Sequence, residues 1–345
     1  MVSLPRLEVL LSISTLLISS LACATIMGEG GIDSPSPFIT EMPAEEPTEA
    51  PVFCSDITNQ IIESNFYTSE ESENEIMDFG GREERNETYI VTYLVTGDEI
   101  SDPFYEDVPS DLQDEQDDSN THEAIWDYFA GLIPMEFRGD LSEFSIMTDG
   151  EGNALAAVAQ TYDDPALWIL EVDIADSQDR DYLSFTLIHE FAHLLTLNSN
   201  QVSPSEAIFN NPEDNDIYLE EVSSCPNFFP GEGCADENSY INEFYNQFWM
   251  EIYDDWNEIN LEEDDENYYN RLDEFYSSHQ DQFLTDYSVT HPAEDIAETF
   301  SFFVLSQQPA GENIAEQKIL FFYQYPELIE LRSQILNNLC RIFPE

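Results

Sequence analysis

Positive charge is what this chain lacks most. Nine Lys and Arg stand against 73 Asp and Glu in 345 residues, a formal net charge of −64. A field of that sign repels phosphate, which excludes nucleic acid and anionic membrane surfaces as partners. The acid is spread along the chain rather than gathered in a tail, and it reads as a solvated surface. A dedicated calcium loop is missing too, since no D-x-D-x-D-G run with a closing Glu occurs. Beyond the N-terminus no apolar run is long enough to span a bilayer. No C-x-x-C pair occurs, which weighs against a thiolate zinc site. Histidine is scarce, with five in the chain. Against these absences stand 42% hydrophobic and 13% aromatic residues, enough for a folded core in one large domain or two small ones.

At the N-terminus a single basic residue, Arg6, precedes an apolar run from about Val9 to Leu21 that ends in SSLACAT. This is the pattern of a secretory signal over 1–24. Two processing routes fit it. Cys23 can be the lipidated first residue of a bacterial lipoprotein, the favoured reading, or Ala22-Cys23-Ala24 can direct ordinary cleavage after Ala24. The expected location is extracytoplasmic, secreted or anchored on the surface, with a membrane engaged only through that lipid. Residues 25–55 are rich in Pro, Gly, Ser and Glu without periodicity, and read as a disordered linker. Four cysteines remain, an even number suited to an oxidising compartment. The most local pairing is Cys225 with Cys234 across PNFFPGEG, leaving Cys54 with Cys340.

The folded domain is expected over 56–345, as an α+β arrangement. A helix is predicted over 57–77, a strand over 87–95, an acidic loop over 98–120 and a helix over 122–132. Three strands follow at 143–149, 153–162 and 167–174, and then a helix over 182–198. A small mixed sheet whose last strand leads into a motif-bearing helix is the layout of a zincin-like domain, here with a mostly helical C-terminal part. Between 240 and 276 aromatic residues are dense, and spacings such as 245, 249, 253 and 256 are helical. They read first as packing between helices, and otherwise as the wall of a cleft.

The helix at 182–198 carries His189, Glu190 and His193 as H-E-x-x-H. On a helix the two imidazoles lie one turn apart on one face, half of a tetrahedral zinc site, with Glu190 placed to take a proton from water. Leu183, Leu187, Phe191 and Leu194 recur at helical spacing, so these polar groups sit in an apolar setting and need partners. A third ligand is required, and 194–200 contains neither Gly nor His. The best source is DYSVTHPAEDIAETFSFFV at 286–304, where Pro292 suits a first helical turn. Glu294 and Glu298 lie four apart on one face of an otherwise apolar helix. Glu294 is the better ligand, with Glu298 behind it accepting the second N–H of His189 or His193. His291 is a rival ligand, expected near the site rather than in it. His122 and His279 belong to no motif and are expected on the surface or in packing.

The pair H-E-F-A-H and E-D-I-A-E-T-F resembles the gluzincin zinc metallopeptidases, most nearly the protease domain of anthrax lethal factor and its relatives. There a helix of type Y-x-x-T-x-x-x-E-x-x-A-E-x-F supplies the third ligand. Tyr287, Thr290, Glu294, Ala297, Glu298 and Phe300 stand here in that register. The resemblance covers the two motif helices and about 60 residues around them; the longer segment between the helices has no match. It implies Zn2+ on His189, His193 and Glu294, with Glu190 as base, Glu298 behind a ligand and Tyr287 near the reacting carbonyl. The activity implied is zinc-dependent endopeptidase cleavage of a peptide or protein substrate, and an acidic cleft would favour basic peptides. The competing readings are a catalytically inactive zincin-like protein and a calcium-dependent acidic surface lipoprotein.

Overall fold

The computed structural model describes residues 53–70, 87–150, 154–260, 262 and 264–343. The expected signal segment, nearly all of the linker and positions 71–77 of the first expected helix lie outside the described residues. The chain is α+β, with a mixed five-stranded sheet in the order β2-β1-β3-β5-β4.

Helix α1 (Ser55–Glu70) comes first and packs on two later helices that carry the site. Strands β1 (Thr88–Thr96) and β2 (Glu99–Tyr105) form a hairpin in which Thr96 pairs with Glu99. Gly97 takes φ +63° in its two-residue turn, a conformation that glycine adopts without steric cost. The expected loop at 98–120 is therefore corrected: β2 occupies 99–105, and a short helix, α2 (Gln113–Asp117), follows. Strand β2 is nearly all exposed at the sheet edge, so it has no buried face to impose an alternating pattern. An edge is also where Pro103 can be accommodated. Helix α3 (Ser119–Leu132) begins at Asp118, whose side chain accepts from Thr121 N.

Strands β3 (Leu141–Thr148), β4 (Ala156–Gln160) and β5 (Trp168–Asp173) fall within a few residues of expectation. β3 and β5 run parallel, while β4 pairs antiparallel to β5 and forms the opposite edge. All six residues of β5 are buried, consistent with its place inside the sheet. Helix α4 (Arg180–Leu197) follows six residues after β5.

The chain then enters a long irregular segment. A two-stranded ladder pairs β6 (Val202–Pro204) with β7 (Gly233–Ala235). Between them lie α5 (Glu206–Phe209) and α6 (Asn215–Ser224), and a disulfide joins Cys225 to Cys234. A Cβ on Gly233 would sit 2.0 Å from Ser203 O, so only glycine allows this approach. The expected helical run through the aromatics is broken in three. α7 (Tyr240–Phe244) passes into a π-type turn at Tyr245–Trp249, and α8 (Tyr253–Ile259) resumes after it. Met250 N donates to Tyr245 O at 3.0 Å, one residue beyond α-helical reach. Trp249 and Trp256 are wholly buried, as packing residues should be.

Helix α9 (Asp265–Ser278), a 3-10 turn at Tyr287–Val289, and helices α10 (Pro292–Leu305), α11 (Ile314–Phe322) and α12 (Pro326–Ile342) complete the chain. α10 packs on α4, α1, α11 and α12, which makes it the centre of the helical part. A second disulfide, Cys54–Cys340, ties the start of α1 to the end of α12. No helix among the described residues is long and apolar enough to cross a membrane.

Candidate metal centre

Two helices position the site. α4 starts at Asp179, whose Oδ1 accepts from Asp181 N at 3.0 Å and Tyr182 N at 3.2 Å, a standard way of satisfying the free N–H groups of a first turn. Asn198 closes it by donating to Leu194 O and Leu195 O. Nearly every residue from Leu183 to Leu197 is buried, so α4 is an internal helix covered on all sides. His189, Glu190 and His193 are buried with it. α10 has Pro292 in its first turn, and His291 precedes it as the cap, its Nδ1 accepting from Ala293 N at 3.1 Å.

The antiparallel contact of α4 with α10 brings the expected residues together. His189 Nε2 lies 3.0 Å and His193 Nε2 lies 3.2 Å from Glu294 Oε2, and the two Nε2 atoms are 3.2 Å apart. Among the described residues this trio is the group of His, Cys and carboxylate side chains whose ligand atoms converge, all within 4.8 Å. Glu298, one turn along α10, meets His189 Nδ1 at 2.9 Å from the far side. Of the two histidines left open for Glu298, His189 is therefore its partner. The other Glu298 oxygen accepts from Thr285 Oγ1 at 2.8 Å, and Thr285 Oγ1 is also 3.0 Å from Ser288 Oγ. The chain Thr285–Glu298–His189 fixes the ring with Nε2 turned to the common point, the arrangement that a ligating histidine needs.

The electrostatics fit the same purpose. Burial pulls the His189 imidazole down, but its bonds to Glu294 and Glu298 outweigh that and hold it well above the ordinary histidine value. Burial pushes the Glu294 carboxyl up, and His193 and His189 overcome that to hold it well below. Two imidazole nitrogens and one carboxylate oxygen are a donor set that suits a borderline divalent metal.

The remaining expected residues are placed as follows. Tyr287 is half-buried, its ring centroid 5.8 Å from that of His189. His291 is beside the trio and outside it. Burial holds its pKa at about 4, and it lies against Phe228 and Trp256. His122 is buried packing, bonded to Tyr93 Oη at 2.9 Å, and His279 stacks on Phe275 at the end of α9.

Two neighbours were not expected. Thr285 lies outside either motif, and only its fold contact with Glu298 identifies it. Glu232 comes from the disulfide-closed loop, and its Oε2 is buried without a hydrogen-bond partner among the described residues. Burial pushes the Glu232 carboxyl up, and both His193 and Glu294 act on it electrostatically. Nothing in PNFFPGEG marks that residue in the sequence. Compared with known proteins, the chain matches no family model, no curated protein and no solved structure.

Proposed function

We propose that this chain is an exported zinc-dependent endopeptidase with a zincin-like domain, in which His189, His193 and Glu294 hold the metal and Glu190 is the general base. The observation that carries the reading is the convergence of His189 Nε2, His193 Nε2 and Glu294 Oε2 from two helices about a hundred residues apart, with Glu298 braced behind His189. Three protein ligands, rather than four, are the pattern of catalytic rather than structural zinc sites. A zinc ion held there supplies a Lewis acid and acidifies water.

The chain's own residues do the rest. Glu190 follows His189 on the same helix, is buried beside it and acts electrostatically on His193. It accepts the proton of the attacking water and passes it to the departing amine. Tyr287, at the start of the α10 segment, offers its hydroxyl to the oxyanion that develops on the scissile carbonyl. Glu298 and Thr285 keep His189 oriented and neutral when its Nε2 is a ligand. Strand β4 supports a peptide substrate: it packs against α4 and its outer edge has no strand partner among the described residues. An extended peptide adds to such an edge through main-chain hydrogen bonds. The two disulfides agree with an oxidising, extracytoplasmic setting. Lipid anchoring through Cys23 remains part of the proposal.

The test is Glu190→Gln. Cleavage of a peptide library should fall by roughly 10²–10⁴-fold while bound zinc stays at the wild-type level. Wild-type rates in that variant would remove Glu190 from the mechanism. Zinc bound with no cleavage of any peptide by the wild-type chain would favour the inactive, binding-protein alternative.

A further inference from the structure

Tyr287 and His189 belong to elements far apart in the chain, yet their ring centroids lie 5.8 Å apart. Tyr287 opens a single 3-10 turn, Tyr287–Val289, which has too few hydrogen bonds of its own to hold a side chain in place. The turn is anchored from outside. Trp256 Nε1 donates to Val289 O at 2.7 Å, and Asp286 Oδ1 accepts from Tyr287 N at 2.9 Å. Ser288, wholly buried at the centre of the turn, meets Thr285 twice. Its N donates to Thr285 Oγ1 at 3.3 Å, and its Oγ lies 3.0 Å from the same atom.

Thr285 Oγ1 is therefore a junction. A hydroxyl has one proton and two acceptor lone pairs. The proton goes to Glu298 Oε2 at 2.8 Å. Thr285 then has none left for Ser288, so the Ser288 hydroxyl is the donor in their contact, and with the Ser288 N–H it fills both lone pairs. On the far side of Glu298, His189 Nδ1 lies 2.9 Å from Oε1, which accepts its N–H when Nε2 is a ligand. Thr285, Ser288 and Glu298 are all buried, where a lost bond leaves an unsatisfied polar atom. The path from Tyr287 to His189 is thus continuous: the turn, Ser288, Thr285, Glu298 and the ring.

We propose that Thr285 is the pivot of a brace with two ends: through Glu298 it positions the metal ligand His189, and through Ser288 it positions the turn that presents Tyr287. Both ends rest on the metal-site reading above, and the Tyr287 end also on its endopeptidase mechanism. The brace sets the spacing between the metal and the group that meets the oxyanion, which neither motif helix fixes alone. Thr285 and Ser288 act as positioning residues.

The test reads two quantities on the full chain. One is the zinc dissociation constant, by competition with a chromophoric chelator. The other is kcat and KM, at saturating zinc, for a library peptide that the wild type cleaves. Glu298→Ala should weaken zinc binding roughly 10–100-fold. Ser288→Ala should leave zinc affinity within about twofold of wild type and lower kcat roughly tenfold with KM unchanged. Thr285→Val keeps the shape, removes the hydroxyl and should lose both; Thr285→Ser restores the hydroxyl and should recover both. In a Glu298→Ala background Thr285→Val should cost no further zinc affinity, and in a Tyr287→Phe background no further kcat. Unchanged zinc affinity in Thr285→Val beside a weakened Glu298→Ala would overturn the ligand end. Unchanged kcat in Ser288→Ala would overturn the Tyr287 end. Equal losses in Thr285→Ser and Thr285→Val, or additive losses in the double variants, would reduce Thr285 to packing and overturn the brace. Melting of the zinc-free proteins identifies a variant that fails to fold, and Ser288→Ala, which deletes one buried atom, then carries the test. No zinc on the wild-type chain would instead overturn the metal site itself. Zinc without cleavage would remove the Tyr287 end, while the zinc constants still decide the other.

Discussion

The pair α4–α10 and the segment between them, 198–291, solve the same problem by different means. In the helix pair each functional side chain is placed by local periodicity. His193 stands four positions after His189, and Glu298 four after Glu294, so one helical turn fixes each pair. In the intervening segment no period places anything. Position there comes from Cys225–Cys234, from the close approach at Gly233, from a π-type turn and from buried polar contacts across elements. Helical spacing is read off a sequence, whereas cross-chain clamps are not. The comparison predicts that damage to the segment acts on the site indirectly, and damage to the helix pair directly.

The sharpest way to break the comparison is Asp295 of α10, which carries a buried ion pair and also holds the intervening segment through a hydrogen bond. Lys318, one of nine basic residues, is wholly buried with Asp295, its Nζ 2.6 Å from Asp295 Oδ2. The same oxygen accepts from Trp249 Nε1 at 2.7 Å, so Asp295 on α10 links α11 to the π-type turn. Lys318 also lies 4.0 Å above the Phe283 ring. Removing one partner leaves an uncompensated buried charge. Lys318→Met should cost about 3–5 kcal/mol in denaturant unfolding, and adding Asp295→Asn should recover most of it. A loss under about 1 kcal/mol would mean that the pair is solvated or neutral.

The disulfides sharpen the comparison by separating stability from site geometry. Cys54–Cys340 closes a loop 286 residues long, and Cys225–Cys234 closes one of nine. Replacing the first pair by Ala should cost about 2–5 kcal/mol of stability, and the second pair less. For zinc affinity the order should reverse, because Phe228 in the short loop lies 6.2 Å from the ring of His291, the cap of the helix that carries Glu294. Thermal unfolding and chelator competition on both double variants read the two effects.

The candidate site was more legible than the fold around it. His189, His193, Glu294 and Glu298, which the structure brings together, are legible in the sequence because helices impose fixed spacings and because acids on an apolar face need a partner. Strand β2 was not, because an exposed edge carries no alternation. The aromatic run was read as continuous helix because Tyr245, Trp249, Tyr253 and Trp256 keep nearly helical spacing across a turn that adds one residue. Thr285 is out of reach of the sequence, since it meets Glu298 only through a contact made in the fold.

The smallest expected effect is on pH dependence in the zinc-free protein. His189 is held above its ordinary value of 6.5, so its contribution to stability is present below about that pH and is lost as pH rises through the raised value. Glu294 is held below 4.5, so its contribution is present above that pH and is lost as pH falls. Both act together between 4.5 and 6.5, and the zinc-free chain should be most stable there. Zinc should displace the proton from the trio, so its affinity should rise with pH and its stabilisation should grow toward neutral pH. Melting curves with and without zinc from pH 4 to 8 check both slopes; parallel curves would contradict them.

The most direct measurement is the metal content of the purified chain by mass spectrometry, beside Glu294→Ala. The account predicts about one zinc per chain after growth in zinc-replete medium, and a clear reduction in the variant. No zinc on the wild-type chain, or the same zinc in Glu294→Ala, would contradict it.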